Sequence, residues 1–290
     1  MVNLYSYIKE VDTFRKLEVD ELLFVEYTCM QEETKFGIWS DSNYFAFITS
    51  GKKMWRSIYH NYEASHGDIL FIKKGANLTH QFFDDEFCAI FFFLPDDFIQ
   101  SFIKKHDFLL EKKQKDLSSQ DAVIRVIQDS ILDGYGASIA GYLQKGQQIN
   151  EQLLSLKFEE LLMHLCTDPA HEKLKDYFIS LCQSKTYHLT RVMEENFGYS
   201  LKLEDYARLC HMSLSSFKKV FKDYYQTTPA VWLKKRKLDL AMHKLLTTDL
   251  PIHQLSFECG FEDPSHFIRV FKKAYQQTPL QYRQERLNIK

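Results

Sequence analysis

The feature that most constrains this chain is a segment that occurs twice. Residues 216–229 read SFKKVFKDYYQTTP and residues 266–279 read HFIRVFKKAYQQTP. Phe, Val, Phe, Lys, Tyr, Gln, Thr and Pro recur in register, fifty positions apart. A repeat of this kind is one structural unit used twice. In each copy the apolar residues fall at i, i+3 and i+4: Phe217, Val220 and Phe221, then Phe267, Val270 and Phe271. That spacing predicts a helix with one face buried against a neighbour.

The residues upstream predict the neighbour. In the first copy Leu203 to Leu209 reads as a short helix, with Ala207 small where a second helix crosses. Cys210-His211-Met212 is the turn and Ser213 the N-cap of the next helix. In the second copy Ile252 to Glu258 is the helix and Cys259-Gly260-Phe261-Glu262 the turn. Gly260 suits a residue that needs positive φ. Asp263 caps, and Pro264 takes the first helical position. Helix, short turn, helix is the helix-turn-helix pattern. Its outward residues are Leu214, Ser215, Lys218, Lys219 and Lys222 in one copy, and Ser265, His266, Ile268, Arg269 and Lys272 in the other. Thr228-Pro229 and Thr278-Pro279 each start a further helix. The first, Pro229 to Leu246, is about 27 Å long. It can hold the two units near one turn of DNA, about 34 Å, apart.

Charge divides the chain in the same place. From Lys185 onward there are 18 Lys and Arg against 11 Asp and Glu, which leaves 19 against 28 in the rest. An acidic front and a basic back point to one half that avoids nucleic acid and one that seeks it.

The front half reads differently. Leu22 to Val25, Tyr44 to Ile48, Asp68 to Ile72 and Cys88 to Phe93 are short apolar runs separated by turn signals such as Ser50-Gly51 and His66-Gly67-Asp68. They predict a small barrel or sandwich. Helical patterns begin near residue 96, with Phe98 and Phe102. Glu111 to Gln120 reads as a polar loop, and Ala122 to Leu132 and Gln152 to Leu165 as helices. In the last of these, one stripe serves either the barrel beneath it or a second copy of the chain. Leu154, Phe158, Leu161 and Leu165 are its candidate dimerisation residues. Trp39, Phe45, Phe47, Trp55 and Phe71 are equally candidates for a ligand-pocket lining and for a filled core.

Taken together, the residues of the back half resemble the AraC/XylS family of transcription regulators, over roughly Leu189 to Arg286. The most specific stretch runs from Glu258-Cys259-Gly260-Phe261-Glu262-Asp263 through Ser265-His266-Phe267 and Phe271-Lys272-Lys273 to Thr278-Pro279-Leu280-Gln281-Tyr282-Arg283. His211 departs from the pattern, which has a small residue in that turn, so a slightly strained turn is expected there. The resemblance implies that DNA is read from Ser215, Lys218 and Lys219 and from Ser265, His266 and Arg269. Lys222 and Lys272 are placed to touch phosphate. It also implies transcription activation through contact with RNA polymerase. In the front half, His66 to Gly75 followed by His80, Phe92-Phe93-Leu94-Pro95 through Phe98 to Phe102, and Leu156 to Leu162 resemble the cupin-like domain of the subgroup that includes type III secretion activators. In that subgroup the domain self-associates or binds a regulatory protein. A small-molecule effector stays open beside those two.

Other functions find less in the sequence. His60, His66 and His80 are the candidates for a metal-dependent cupin enzyme, the alternative reading, but no His-x-His pair is present. No nucleophile elbow or phosphate loop stands out, so no enzyme activity, cofactor or metal is expected. Asp84-Asp85-Glu86 reads as a solvated hairpin tip. The six cysteines lack a C-x-x-C pair, consistent with reduced, mostly buried thiols. Neither a signal peptide nor a membrane span is read, so the expected location is the cytoplasm. The expectation is an α+β chain: a cupin-like regulatory and dimerisation domain over residues 1–170, a linker over 171–184, and a double helix-turn-helix domain over 185–290. The expected partners are double-stranded DNA, RNA polymerase, a second copy of the chain, and a small-molecule or protein effector.

Overall fold

Runs with apolar residues at consecutive positions make a sheet with two faces to bury. In the computed structural model those runs form β3 (Leu22–Thr28), β5 (Asn43–Ser50), β8 (Ile69–Ile72) and β10 (Cys88–Leu94). With β2 (Arg15–Val19) and β11 (Val123–Val126) they make a six-stranded antiparallel sheet, ordered β11-β8-β5-β10-β3-β2. Alternate residues go to opposite sides. Tyr44, Ala46, Ile48, Phe91 and Phe93 join one buried cluster. Phe45, Phe47, Ile90 and Phe92 join another. The structure describes residues 1–28, 35–82, 86–110, 121–145 and 150–287.

The first cluster lies between two sheets. The second sheet, ordered β1-β4-β9-β6-β7, consists of β1 (Val2–Asn3), β4 (Lys35–Ser40), β9 (Gly75–Gln81), β6 (Lys52–Arg56) and β7 (Asn61–Ser65). It contributes Ile38, Trp55 and Ala64, and α1 (Leu4–Glu10) adds Leu4 and Ile8. Trp55 is fully buried and donates its indole N–H to the Tyr44 hydroxyl at 3.1 Å. Side chains of both sheets thus meet in one buried cluster between them. Phe45, Phe47 and Phe71, weighed above as pocket lining, point to the other face of the sheet.

That other face is covered by α2 (Asp96–Lys105), α3 (Ser130–Lys145), α4 (Glu151–Thr167) and α5 (Glu172–Ser180). Phe24 stacks on Phe158 of α4 at 4.2 Å and meets Phe92 edge-on at 4.7 Å. The fold is therefore α+β, as expected, with α1 ahead of most of the strands and β11 between α2 and α3. Three expectations are corrected. Leu154, Phe158, Leu161 and Leu165 are all at most 1% exposed and sit in the core of their own unit, so they form no dimer face. A helical stripe identifies what must be buried but not by what. Residues 122–132 are not one helix. Val123–Val126 pairs with β8, with Val123 buried on one face of the sheet and Val126 on the other, and α3 starts only at Ser130. Residues 171–184, expected as a linker, contain α5, whose Leu174, Tyr177 and Phe178 are core. The expected loop at 111–120 lies outside the described residues, as do Cys29 and the Asp84-Asp85 end of the expected hairpin tip.

The chain divides into two units, Met1–Ser184 and Lys185–Lys290. Within the first, a buried polar network ties strand to helix. Lys74 Nζ lies 2.6 Å from Asp96 Oδ2, with both side chains 2% exposed. Asn43 donates to Asp96 Oδ1 at 2.8 Å and accepts from the Tyr177 hydroxyl at 2.7 Å. Such a pair fixes geometry more than it adds stability. On the same side of the sheet, a groove of about 390 Å³ opens beside α3, lined by Phe47, Ile69, Ile90, Leu132, Gly136 and Ala140 among others. Gly136 keeps it tight, since a Cβ there would stand 3.2 Å from the Phe47 ring.

The α4 helix gives a direct test of which residues hold this unit together. Phe158→Ala should cost about 3–5 kcal/mol of unfolding free energy in denaturant titration. Leu156→Ala, on the exposed side of the same helix, should stay within about 0.5 kcal/mol. Equal effects would contradict the assignment of α4 to the core.

Candidate nucleic-acid interface

The second unit contains seven helices among the described residues: α6 (Lys185–Asn196), α7 (Leu203–Leu209), α8 (Leu214–Tyr225), α9 (Pro229–Thr247), α10 (Ile252–Glu258), α11 (Pro264–Tyr275) and α12 (Pro279–Leu287). The repeat is α8 and α11. Each is anchored by two fully buried phenylalanines, Phe217 with Phe221 and Phe267 with Phe271. The repeated tyrosine extends each anchor, Phe221 to Tyr225 and Phe271 to Tyr275, both at 4.6 Å. The repeated glutamine is a C-cap. Gln226 and Gln276 adopt left-handed backbones at φ 54° and 61°, and each donates its N–H to a carbonyl one turn back, of Lys222 and Lys272.

The helix starts follow the capping chemistry read from the sequence. Ser213 accepts from the Ser216 N–H, and Asp263 accepts from those of Ser265 and His266, ahead of Pro264. Thr278 accepts from the Gln281 N–H at 3.3 Å, while Gln281 accepts the Thr278 N–H at 2.9 Å, a reciprocal cap. Thr228, its counterpart, makes no side-chain cap bond. The two turns differ. Four residues, Cys210–Ser213, join α7 to α8, and five, Cys259–Asp263, join α10 to α11. His211 stands at φ 51°, the strained position expected of it, and Gly260 fills the same role at φ 77°.

The faces opposite the anchors are exposed. Ser215, Lys218, Lys219 and Lys222 lie at i, i+3, i+4 and i+7 along α8, and all four are exposed. Ser265, His266, Arg269 and Lys272 of α11 are exposed too. Among the described residues none of these five cations enters an ion pair. Lys273, exposed in the last turn of α11, adds a sixth that the repeat pattern did not single out.

A helix-turn-helix domain model matches residues 206–285, spanning both recognition helices, and a model of the ExsA N-terminal regulatory domain matches residues 43–177. The virulence regulon transcriptional activator VirF of Yersinia enterocolitica is 24% identical over 236 residues, 81% of this chain and 87% of VirF. The HTH-type transcriptional regulator ExsA of Pseudomonas aeruginosa is 26% identical over 218 residues, 75% of this chain and 77% of ExsA. A solved structure of ToxT from Vibrio cholerae aligns at a TM-score of 0.41 and 14% identity, over 90% of this chain and 97% of ToxT. The second unit thus carries an AraC-type helix-turn-helix domain and the first an ExsA-type regulatory domain, and the activators that the chain resembles are of the AraC family.

One carbonyl in the second helix-turn-helix accepts two hydrogen bonds from outside it. Gly260 O accepts from Ser200 Oγ at 3.1 Å and from Lys237 Nζ of α9 at 2.7 Å. A Cβ on Gly260 would stand 2.6 Å from the Gly198 carbonyl oxygen. Burial pulls the Lys237 ammonium down from 10.5 to about 8, while Glu262 works against that shift. No sequence signal marks Lys237, since it sits in a run of four cations, Lys234 to Lys237. The candidate metal histidines of the first unit stand in separate surroundings. His60 is 3.9 Å from Asp121, His66 Nδ1 is 2.7 Å from the Thr49 carbonyl, and His80 packs by the Phe82 ring. Among the described residues no three His, Cys, Asp or Glu side chains converge on a point.

Gly260→Ala combines a left-handed backbone with a clash against main chain. It should lower stability by about 2 kcal/mol or more in thermal or denaturant unfolding. No loss would mean that the turn does not approach Gly198. Lys237 carries a pH signature. Between pH 8 and 10.5 the unfolded chain keeps a proton on this amine that the folded chain has released. Stability therefore gains with rising pH across that window. Lys237→Met should remove that part of the slope in unfolding titrations of the full chain, whereas an unchanged slope assigns the proton to another group.

Proposed function

We propose that this chain activates transcription by binding a specific DNA sequence through α8 and α11, under the control of its first unit. One observation carries this reading: two helices of the same unit each present an exposed, cationic face, free of ion pairs among the described residues and held from behind by a buried aromatic pair. Ser215, Lys218, Lys219, Ser265, His266 and Arg269 meet base edges, and Lys222 and Lys272 meet phosphate. Activation is supported by VirF, named a transcriptional activator, and RNA polymerase is the partner it requires. The chemistry is recognition rather than catalysis. The cytoplasm is the matching location, and among the described residues no helix is long and apolar enough to cross a membrane.

The buried cluster between the sheets favours control by a protein partner or by self-association. A second reading, a small-molecule effector, is favoured by the groove beside α3, whose volume falls at the lower end of the range for ligand sites. With Leu154, Phe158, Leu161 and Leu165 buried, a dimer must use a different surface.

The test is enrichment of the full chain's preferred sites from random duplex DNA. One shared motif is the expected result, and no enrichment would overturn the proposal. On that motif, Arg269→Ala should lose about 1–3 kcal/mol of discrimination, because it removes a base-edge donor. Equal losses on selected and random DNA would contradict that role. Lys222→Ala should weaken all DNA alike and reduce the salt slope by about one. An unchanged slope would show that it touches no phosphate.

A further inference from the structure

The two reading faces share their chemistry at three positions of the stripe and differ at a fourth. In the fifty-residue register Ser215 corresponds to Ser265, Lys219 to Arg269 and Lys222 to Lys272. The remaining pair is Lys218 and Ile268. Both occupy the i+3 position, early in their helices, where recognition helices approach base edges. A cation in one head is replaced by a branched hydrocarbon in the other.

Ile268 is not part of the core. It is 38% exposed, while the anchors Phe267 and Phe271 beneath it are fully buried. Its neighbours on the helix surface, Ser265 and Lys272, are polar and exposed. It can neither donate nor accept a hydrogen bond, so it cannot read a purine edge or hold a phosphate. The major groove offers one apolar group, the C5-methyl of thymine. Burying it against a branched side chain removes both from water.

We infer that Ile268 contacts the C5-methyl group of a thymine, making it a specificity residue of the second reading head. Lys218 at the same position of the first head is a donor suited to guanine O6 and N7. The two heads thus prefer different bases at this position. The inference rests on the DNA-reading function proposed above.

Uracil tests it, because uracil is thymine without that methyl. The full chain is titrated by fluorescence anisotropy against its selected site, and then against versions with each thymine replaced singly by uracil. One substitution in the part of the site covered by α11 should weaken binding about fourfold, the size expected for one methyl group. Ile268→Ala should show the same loss on the thymine site and no further loss with uracil. Ile268→Val, still branched and apolar, should keep most of the uracil penalty, and Lys218→Ala should keep all of it. Unchanged thermal unfolding shows that the variants are folded. A penalty that survives in Ile268→Ala, or no penalty at any thymine, overturns the assignment while leaving the DNA-reading function intact. A chain that selects no sequence overturns both.

Discussion

A recognition helix can be bare on one side only if it is held firmly on the other. Here the holding is done by two aromatic rings per helix, at the i and i+4 positions. Phe217 and Phe221 sit 5.9 Å apart, Phe267 and Phe271 5.7 Å apart. The rest of each unit is arranged around them. Phe221 reaches Trp232 of α9, and Phe271 reaches Tyr282 of α12. The helix that follows each recognition helix is therefore tied to its anchor, and the buried Pro229 and Pro279 set where that helix begins. The exposed lysines and arginine are fixed in direction because the rings behind them are fixed in place.

This half of the chain was legible in the sequence because its determinants are local. The bounds of α7 and α10 follow from runs of seven residues, and the caps of α8 and α11 from residues adjacent to them. Even the strained turn at His211 could be read, since one residue's backbone angle decides it. What escaped was non-local. Lys237 and Gly260 are 23 positions apart, and the Tyr177–Asn43 bond spans 134. Neither pairing leaves a pattern in composition or spacing. The reading positions were legible as an exposed face, but the base each one meets depends on DNA that is not written in the chain.

The first unit shows the same division. Its central strands announce themselves because both faces of their sheet are buried. The second sheet does not, because polar residues such as Lys53, Asn77, Thr79 and Gln81 are buried within it. Its strands lack the apolar runs that would have marked them. The stripe on α4 was seen correctly as a stripe and assigned in part to the wrong partner. The sheet whose Phe24 stacks on Phe158 joins β3 to β10, strands far apart in sequence. A stripe read in isolation cannot distinguish that surface from a second copy of the chain.

The unequal turns, four residues before α8 and five before α11, have a consequence of their own. Heads that differ in turn length and in outward residues cannot be exchanged by an exact twofold axis, so the unit has no such internal symmetry. A single copy has a front and a back along the double helix. The text it reads is therefore asymmetric, and inverting that text inverts the protein lying on it. Whatever surface the regulator turns towards the start of a gene is then determined by which strand carries the site.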